Sequence, residues 1–111
     1  GLLRSQTNLA EVRAALLTAF EQDSDPDVRL RALEGLRAWS GQADIRKALA
    51  RAVLRDSNPT VRTQAIDLLT QSREPALVGV LQEALVREDN DDVRLKCRQV
   101  LHQMKASEET F

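Results

Sequence analysis

The sequence has little of the residue types from which most active sites are built. Its 111 residues contain one histidine, one cysteine and no tyrosine. A single cysteine excludes an intramolecular disulfide. Cys97 and His102 are five positions apart on one predicted helix, about 140° around its axis, so they do not share a face. We therefore predict that the chain is not an enzyme and has no catalytic residues, metal ligands or cofactor.

Glycine and proline are also scarce, with four and three residues. This is few for a chain with many strands and tight turns, and it favours an all-helical fold. No apolar run approaches the roughly 18 residues of a membrane span, so this segment is not expected to contact a membrane. The formal charge of −1 provides no global attraction to nucleic acid, which makes nucleic acid a disfavoured partner.

The chain begins GLLRSQTN, without a methionine and without the profile of a signal peptide. We expect Gly1 to be a cloning remnant and the residues from Leu2 onward to be the C-terminal part of a longer protein. The sequence does not assign a compartment. A cytoplasmic location is the default, and a periplasmic one would follow from a preceding membrane anchor.

One segment of the sequence occurs three times, as DSDPDVRLRALEGL from residue 23, DSNPTVRTQAIDLL from residue 56 and EDNDDVRLKCRQVL from residue 88. Its Val-Arg step recurs after 33 and then 32 residues. A fixed period of this size is typical of a solenoid, in which each unit stacks on copies of itself because no unit can bury its apolar face alone.

Apolar residues within each repeat recur with the 3.6-residue period of helices, and turn residues separate them. A capping residue and a proline at residues 24–26 and 57–59 mark two helix starts. The pattern predicts six helices, at about 9–22, 26–39, 43–55, 58–71, 75–87 and 91–104. It also predicts a lead-in at 1–8, a single domain at 9–104 with repeats at about 9–40, 41–73 and 74–104, and a frayed tail at 105–111.

The string D-x-[DN]-P-x-V-R-x-x-A-x-x-x-L, found in the first two copies, resembles the second half of a HEAT repeat, and the resemblance covers about residues 9–104. The ankyrin and tetratricopeptide signatures are absent. The period is shorter than the roughly 40 residues usual for HEAT units, so the chain is most similar to the compact bacterial kind. The resemblance implies an α-α superhelix of three helical hairpins, with an Asp/Arg ladder of hydrogen bonds between adjacent repeats.

The resemblance also implies that the second helix of each repeat lines a concave groove. Away from the apolar stripe, these helices carry polar residues of mixed charge in aligned columns, and mixed signs favour a protein or peptide over a phosphate backbone. The predicted groove residues are Arg31, Glu34, Gln64, Asp67, Lys96 and Gln99.

We therefore expect a non-enzymatic protein-interaction scaffold. Similar bacterial modules form the C-terminal part of regulators, including membrane-anchored ones. The alternative is a HEAT-like nucleic-acid-binding protein, which would need a basic stripe along the groove. In this sequence Glu34 and Asp67 interrupt Arg31 and Lys96.

Three further features are read from the alignment of the repeats. Cys97 aligns with two alanines and is predicted to lie in the core, and the acidic turn at 89–92 aligns with two helix-capping turns. Arg98 aligns with Leu33 and Ile66, which is expected of a terminal cap with nothing stacked on it. At the other end, exposed Leu2, Leu3 and Leu9 suggest that preceding residues, a partner or a second copy covers the first repeat.

Overall fold

The computed structural model describes residues 2–72 and 75–109, with side chains described for 8–72 and 75–105. These residues form six α-helices and one 3-10 helix, which confirms the all-α prediction. No helix among them is both long and apolar enough to span a bilayer. The elements are α1 (Leu2–Gln22), α2 (Pro26–Gly35), the 3-10 helix (Leu36–Trp39), α3 (Ala43–Arg55), α4 (Pro59–Gln71), α5 (Leu77–Arg87) and α6 (Asp91–Glu109).

The second helix of each hairpin begins at a capping side chain from the repeated turn. Asp25, Asn58 and Asn90 each accept a hydrogen bond from the backbone N–H two residues later, at 2.9–3.0 Å. Such caps satisfy donors that have no partner within the helix. Pro26 and Pro59 follow two of these caps, at a position where the missing N–H costs nothing. The acidic turn of the third repeat is therefore a helix cap, as predicted.

The helices form two layers, with α1, α3 and α5 in one and α2, α4 and α6 in the other. The Cα atoms span 50 × 36 × 15 Å. The shortest dimension is that of two packed helices, whose axes lie about 8–10 Å apart. Between the layers, one continuous core joins all three hairpins, and its fully buried side chains include Leu36, Ile45, Leu49, Ile66, Leu81 and Cys97.

The outer helix ends differ from the prediction. α1 begins at Leu2 rather than near residue 9, and α6 continues to Glu109 rather than ending near 104. Neither extension contains proline or glycine, so the backbone hydrogen bonds continue beyond the packed apolar stripe. The division into lead-in, domain and tail stays a prediction. The predicted repeat boundary at residues 73 and 74 and the last two residues of the predicted tail lie outside the described residues.

Candidate interaction surface on the second helices

The six residues predicted to bind a partner lie on the second-helix layer, two on each helix. Arg31 and Glu34 belong to α2, Gln64 and Asp67 to α4, and Lys96 and Gln99 to α6. Arg31, Glu34 and Gln99 are exposed, and the other three are half-buried. We call these six residues the second-helix face.

Ion pairs neutralise much of the charge on the second-helix face. The Glu34 carboxylate accepts two hydrogen bonds from Arg37 at 3.0 Å, and these bonds hold the pKa of Glu34 below its usual range. Lys96 of α6 pairs with Asp67 of α4. The pairs are solvent-exposed or half-buried, so they add little to stability. They do set which charges a partner meets.

Arg31 is the exception on this face. Among the described side chains it has no ion pair or side-chain hydrogen bond, and it is exposed to solvent. An unpaired guanidinium presents donors in a geometry that matches a carboxylate. Arg31 is therefore the cation of this face that is available to an incoming acidic group.

A separate set of charged residues joins the turns of adjacent repeats. Arg29 donates through Nε and Nη2 to the carboxylate of Asp56, with both distances 3.0 Å. Arg62 donates in the same way to Glu88, at 2.9 and 2.8 Å. These side chains are at most 12% exposed. The expected ladder between repeats is confirmed, and its burial indicates a structural role.

Within each turn the arginine reaches a backbone carbonyl rather than the carboxylate six residues before it. The Nη1 groups of Arg29 and Arg62 donate to the carbonyl oxygens of Asp23 and Asp56, at 2.9 and 2.7 Å. The carboxylates of Asp23 and Asp56 instead accept from backbone N–H groups of their own turns. Each acid therefore holds its turn together, and the arginine joins that turn to the next repeat.

The residue types that most often carry catalysis or bind metals are not brought together in the described part of this fold. Cys97 is fully buried and His102 is exposed, so the two do not meet. Trp39 is half-buried and packs against the core. Burial raises the pKa of the Cys97 thiol, and the Glu88 carboxylate raises it further. Within residues 8–72 and 75–105, no three histidine, cysteine, aspartate or glutamate side chains come together as metal ligands.

We expect Cys97 to react with an aromatic disulfide reagent at least about tenfold more slowly in the folded protein than in denaturant, because the thiolate is the reactive form and burial disfavours it. Absorbance of the released thiolate measures the rate. The matched control is Cys97→Ala combined with Arg98→Cys, which moves the thiol to an exposed neighbouring position and should react rapidly. Equal rates for the two proteins would show that Cys97 is accessible.

Sequence reasoning missed a shallow cleft on the first-helix layer, between α3 and α5. Its floor includes Leu69, Leu77 and Val80, and Arg46 and Lys47 lie at its rim. Ala43 and Ala50 leave the space because their side chains are small. The two alanines lie seven residues apart on one side of α3, and this spacing was the only sign of the cleft in the sequence. The cleft could be recognised only once α5 was seen to pack beside α3.

Comparison with known proteins identifies the family. A search of curated proteins and a search of solved structures each returned no match to the chain. A family model for HEAT repeats matches residues 13–102, which is most of the chain and includes all three hairpins and both rungs of the ladder. The chain therefore belongs to the HEAT-repeat family.

Proposed function

We propose that the chain is a non-enzymatic scaffold that binds a segment of another protein on its second-helix face. HEAT repeats typically mediate protein–protein interactions. The observation that carries the proposal is the alignment of polar side chains from α2, α4 and α6 in one layer, with Arg31 unpaired among them. We further propose that the chain is the C-terminal module of a longer bacterial protein, such as a membrane-anchored regulator.

The fold suits this task because it holds the face rigidly. The buried ladder and the continuous core connect each hairpin to the next, so the three second helices are already in place before a partner arrives. A binding surface that is ordered in advance has a smaller entropic cost of association.

The charge pattern indicates the partner's chemistry. An acidic side chain of the partner would pair with Arg31, and polar groups would meet Gln64 and Gln99, which carry both donors and acceptors. The carboxylates of Glu34 and Asp67 repel a phosphate backbone. A peptide that carries an acidic residue for Arg31 and a basic residue for Glu34 or Asp67 therefore fits this face better than a nucleic acid does.

Reversing two charges on this face tests the proposal. We expect the double variant Glu34→Lys, Asp67→Lys to keep its fold, since exposed residues contribute little to stability. Its affinity for a peptide selected from a displayed library against the wild-type protein should fall by about tenfold or more, because complementary charges at a contact become repulsive. Fluorescence anisotropy of the labelled peptide measures the affinity.

The matched control reverses two exposed acids of the first-helix layer, Glu11→Lys and Glu83→Lys, with the same change in net charge. Equal losses in the two double variants would indicate a non-specific charge effect and contradict the assignment. An unchanged affinity would place the site elsewhere, and the cleft lined by Lys47 would then be tested. Wild-type binding to a labelled DNA duplex that weakens steeply with salt and strengthens on reversal of Glu34 and Asp67 would favour the nucleic-acid alternative.

A further inference from the structure

The last arginine of the inter-repeat ladder has no carboxylate partner among the described residues. Arg94 donates through Nη1 to the carbonyl oxygens of Leu85 and Glu88, both at 2.9 Å. This places its guanidinium in its own turn much as Arg29 and Arg62 are placed in theirs. Its Nε and Nη2, the groups that bind the next repeat's carboxylate in the other two turns, have no acceptor among the described residues.

The first acid of the ladder likewise has no arginine partner for its carboxylate among the described residues. Asp23 accepts a hydrogen bond from the backbone N–H of Asp25 at 2.9 Å, as Asp56 does from the N–H of Asn58. Asp56 also accepts two hydrogen bonds from an arginine of the preceding repeat. Asp23 is half-buried, and no arginine among the described residues reaches its carboxylate.

Apolar side chains of the first and third repeats are exposed at positions that are covered in another repeat. Val12 of α1 is 47% exposed, whereas Ile45 and Leu77 at the same position of the later repeats are 0% and 2% exposed. At the other end, Val86 is 87% exposed, whereas Leu54 at the same position packs against the core. We call the surface of the first repeat that includes Val12 and Asp23 the N-terminal end face. We call the surface of the third repeat that includes Val86 and Arg94 the C-terminal end face.

We propose that two copies of this chain stack head to tail, with the C-terminal end face of one protomer on the N-terminal end face of its partner. The contact repeats the one between adjacent repeats within a chain. Arg94 of one protomer donates through Nε and Nη2 to the carboxylate of the partner's Asp23, as Arg29 donates to Asp56. The charge complementarity comes from the chain itself, because the described part of the ladder leaves the Arg94 guanidinium and the Asp23 carboxylate without a partner from another repeat.

The association is weaker than the contact between repeats of one chain. Arg98 is exposed at the position where Leu33 and Ile66 are buried, so less apolar area is covered between copies than between repeats, and the Arg98 guanidinium has to stay in water at the edge of the contact. Because the two faces differ, each added copy leaves one face open, and the assembly grows as an open row rather than closing as a symmetric dimer. This inference is independent of the proposed second-helix face.

Sedimentation velocity of the 111-residue chain, from about 10 μM to about 1 mM, tests the proposal. The sedimentation coefficient of the wild type should rise with concentration. Asp23→Asn should shift this rise to at least about fivefold higher concentration, because it removes the charge while keeping the acceptor for the Asp25 N–H. The control Asp25→Asn removes a charge from the same turn and preserves the helix cap, so it should associate like the wild type.

Two charge-reversal variants make the test specific for the pairing. Asp23→Arg alone and Arg94→Glu alone should remain monomeric, since each places like charges across the contact. An equimolar mixture should associate, because each variant then offers the charge that the other needs. Circular dichroism checks that both variants fold. If Arg94→Glu does not fold, the comparison of Asp23→Asn with Asp25→Asn decides the question on its own.

Arg98→Leu provides a gain-of-association test, since it restores the apolar residue of the interior repeats. It should move association to lower concentration, and adding Asp23→Asn should reverse that gain. The proposal is overturned if the wild type and Arg98→Leu both stay monomeric over the whole concentration range. The two end faces would then be expected to contact further repeats of a longer chain instead of a second copy. It is equally overturned if Asp23→Asn and Asp25→Asn associate alike, or if assembly stops at a dimer.

Discussion

Replacing Arg62 by methionine is expected to lower the free energy of unfolding by about 3–5 kcal/mol. Arg62 supplies two hydrogen bonds and the opposite charge to Glu88, whose side chain is only 5% exposed. Methionine keeps much of the buried volume but leaves that carboxylate uncompensated and away from water. Urea denaturation followed by circular dichroism measures the loss.

Two comparisons connect this loss to the buried pair. Arg55→Met removes an exposed arginine that makes no ion pair among the described residues, and it should change stability by about 0.5 kcal/mol or less. Adding Glu88→Gln to Arg62→Met should recover part of the stability, since the orphaned charge is removed while the acceptor for the Asn90 N–H is kept. A loss in Arg62→Met no larger than that in Arg55→Met would show that the ladder does not hold the repeats together.

Replacing Ile66 by arginine is expected to cost more than about 4 kcal/mol and to leave the chain largely unfolded. Ile66 is 0% exposed and belongs to the continuous core, where no acid is positioned to accept the new charge. In the third repeat the aligned residue is an arginine, Arg98. Ile66 lies on α4, against which α6 packs, whereas Arg98 is exposed among the described residues. Thermal unfolding of the purified variant, or its failure to give a cooperative transition, provides the measurement.

The matched exchange at the end of the stack should behave in the opposite way. Arg98→Leu is expected to leave the melting temperature nearly unchanged at low concentration, because an exposed residue contributes little to the folded state. Its effect should appear only as association at higher concentration. A cooperative, near-wild-type transition in Ile66→Arg would contradict the stacking order of the hairpins, because that order is what buries Ile66.

The interior helices could be predicted from the sequence more closely than the outer ones. The helix predicted at about 43–55 is observed as Ala43–Arg55, because Gly41 before it and the DSNP turn after it stop the helical pattern on both sides. At the chain's outer ends, the apolar stripe marks only the packed part of a helix. Backbone hydrogen bonds continue beyond that part until a breaker stops them, so α1 and α6 are longer than the stripe.

The candidate site was predictable in its positions but not in its contacts. The repeat period alone places Arg31, Glu34 and Asp67 on the second helices, because equivalent positions recur in every copy. The pairing of Glu34 with Arg37 and of Asp67 with Lys96 was not predicted. These pairs depend on rotamers and on the distance between neighbouring helices, and neither is a property of a single helix. That the face binds a partner stays a prediction.

The sequence by itself determined that the chain is a stack of three helical hairpins, since the 3.6-residue periodicity of apolar side chains within each repeat already selects the face that water is driven from. The tertiary structure alone decided which acid each arginine meets. Arg29 binds the carboxylate of Asp56 in the next repeat, whereas in its own repeat it binds the backbone carbonyl oxygens of Asp23 and Ser24. The reason is that this choice depends on how far and at what angle one hairpin stacks on the next. Among the described residues, the same stacking leaves the carboxylate of Asp23 and the Nε and Nη2 groups of Arg94 without a partner from another repeat, although both residues occupy the same repeat positions as the paired ones.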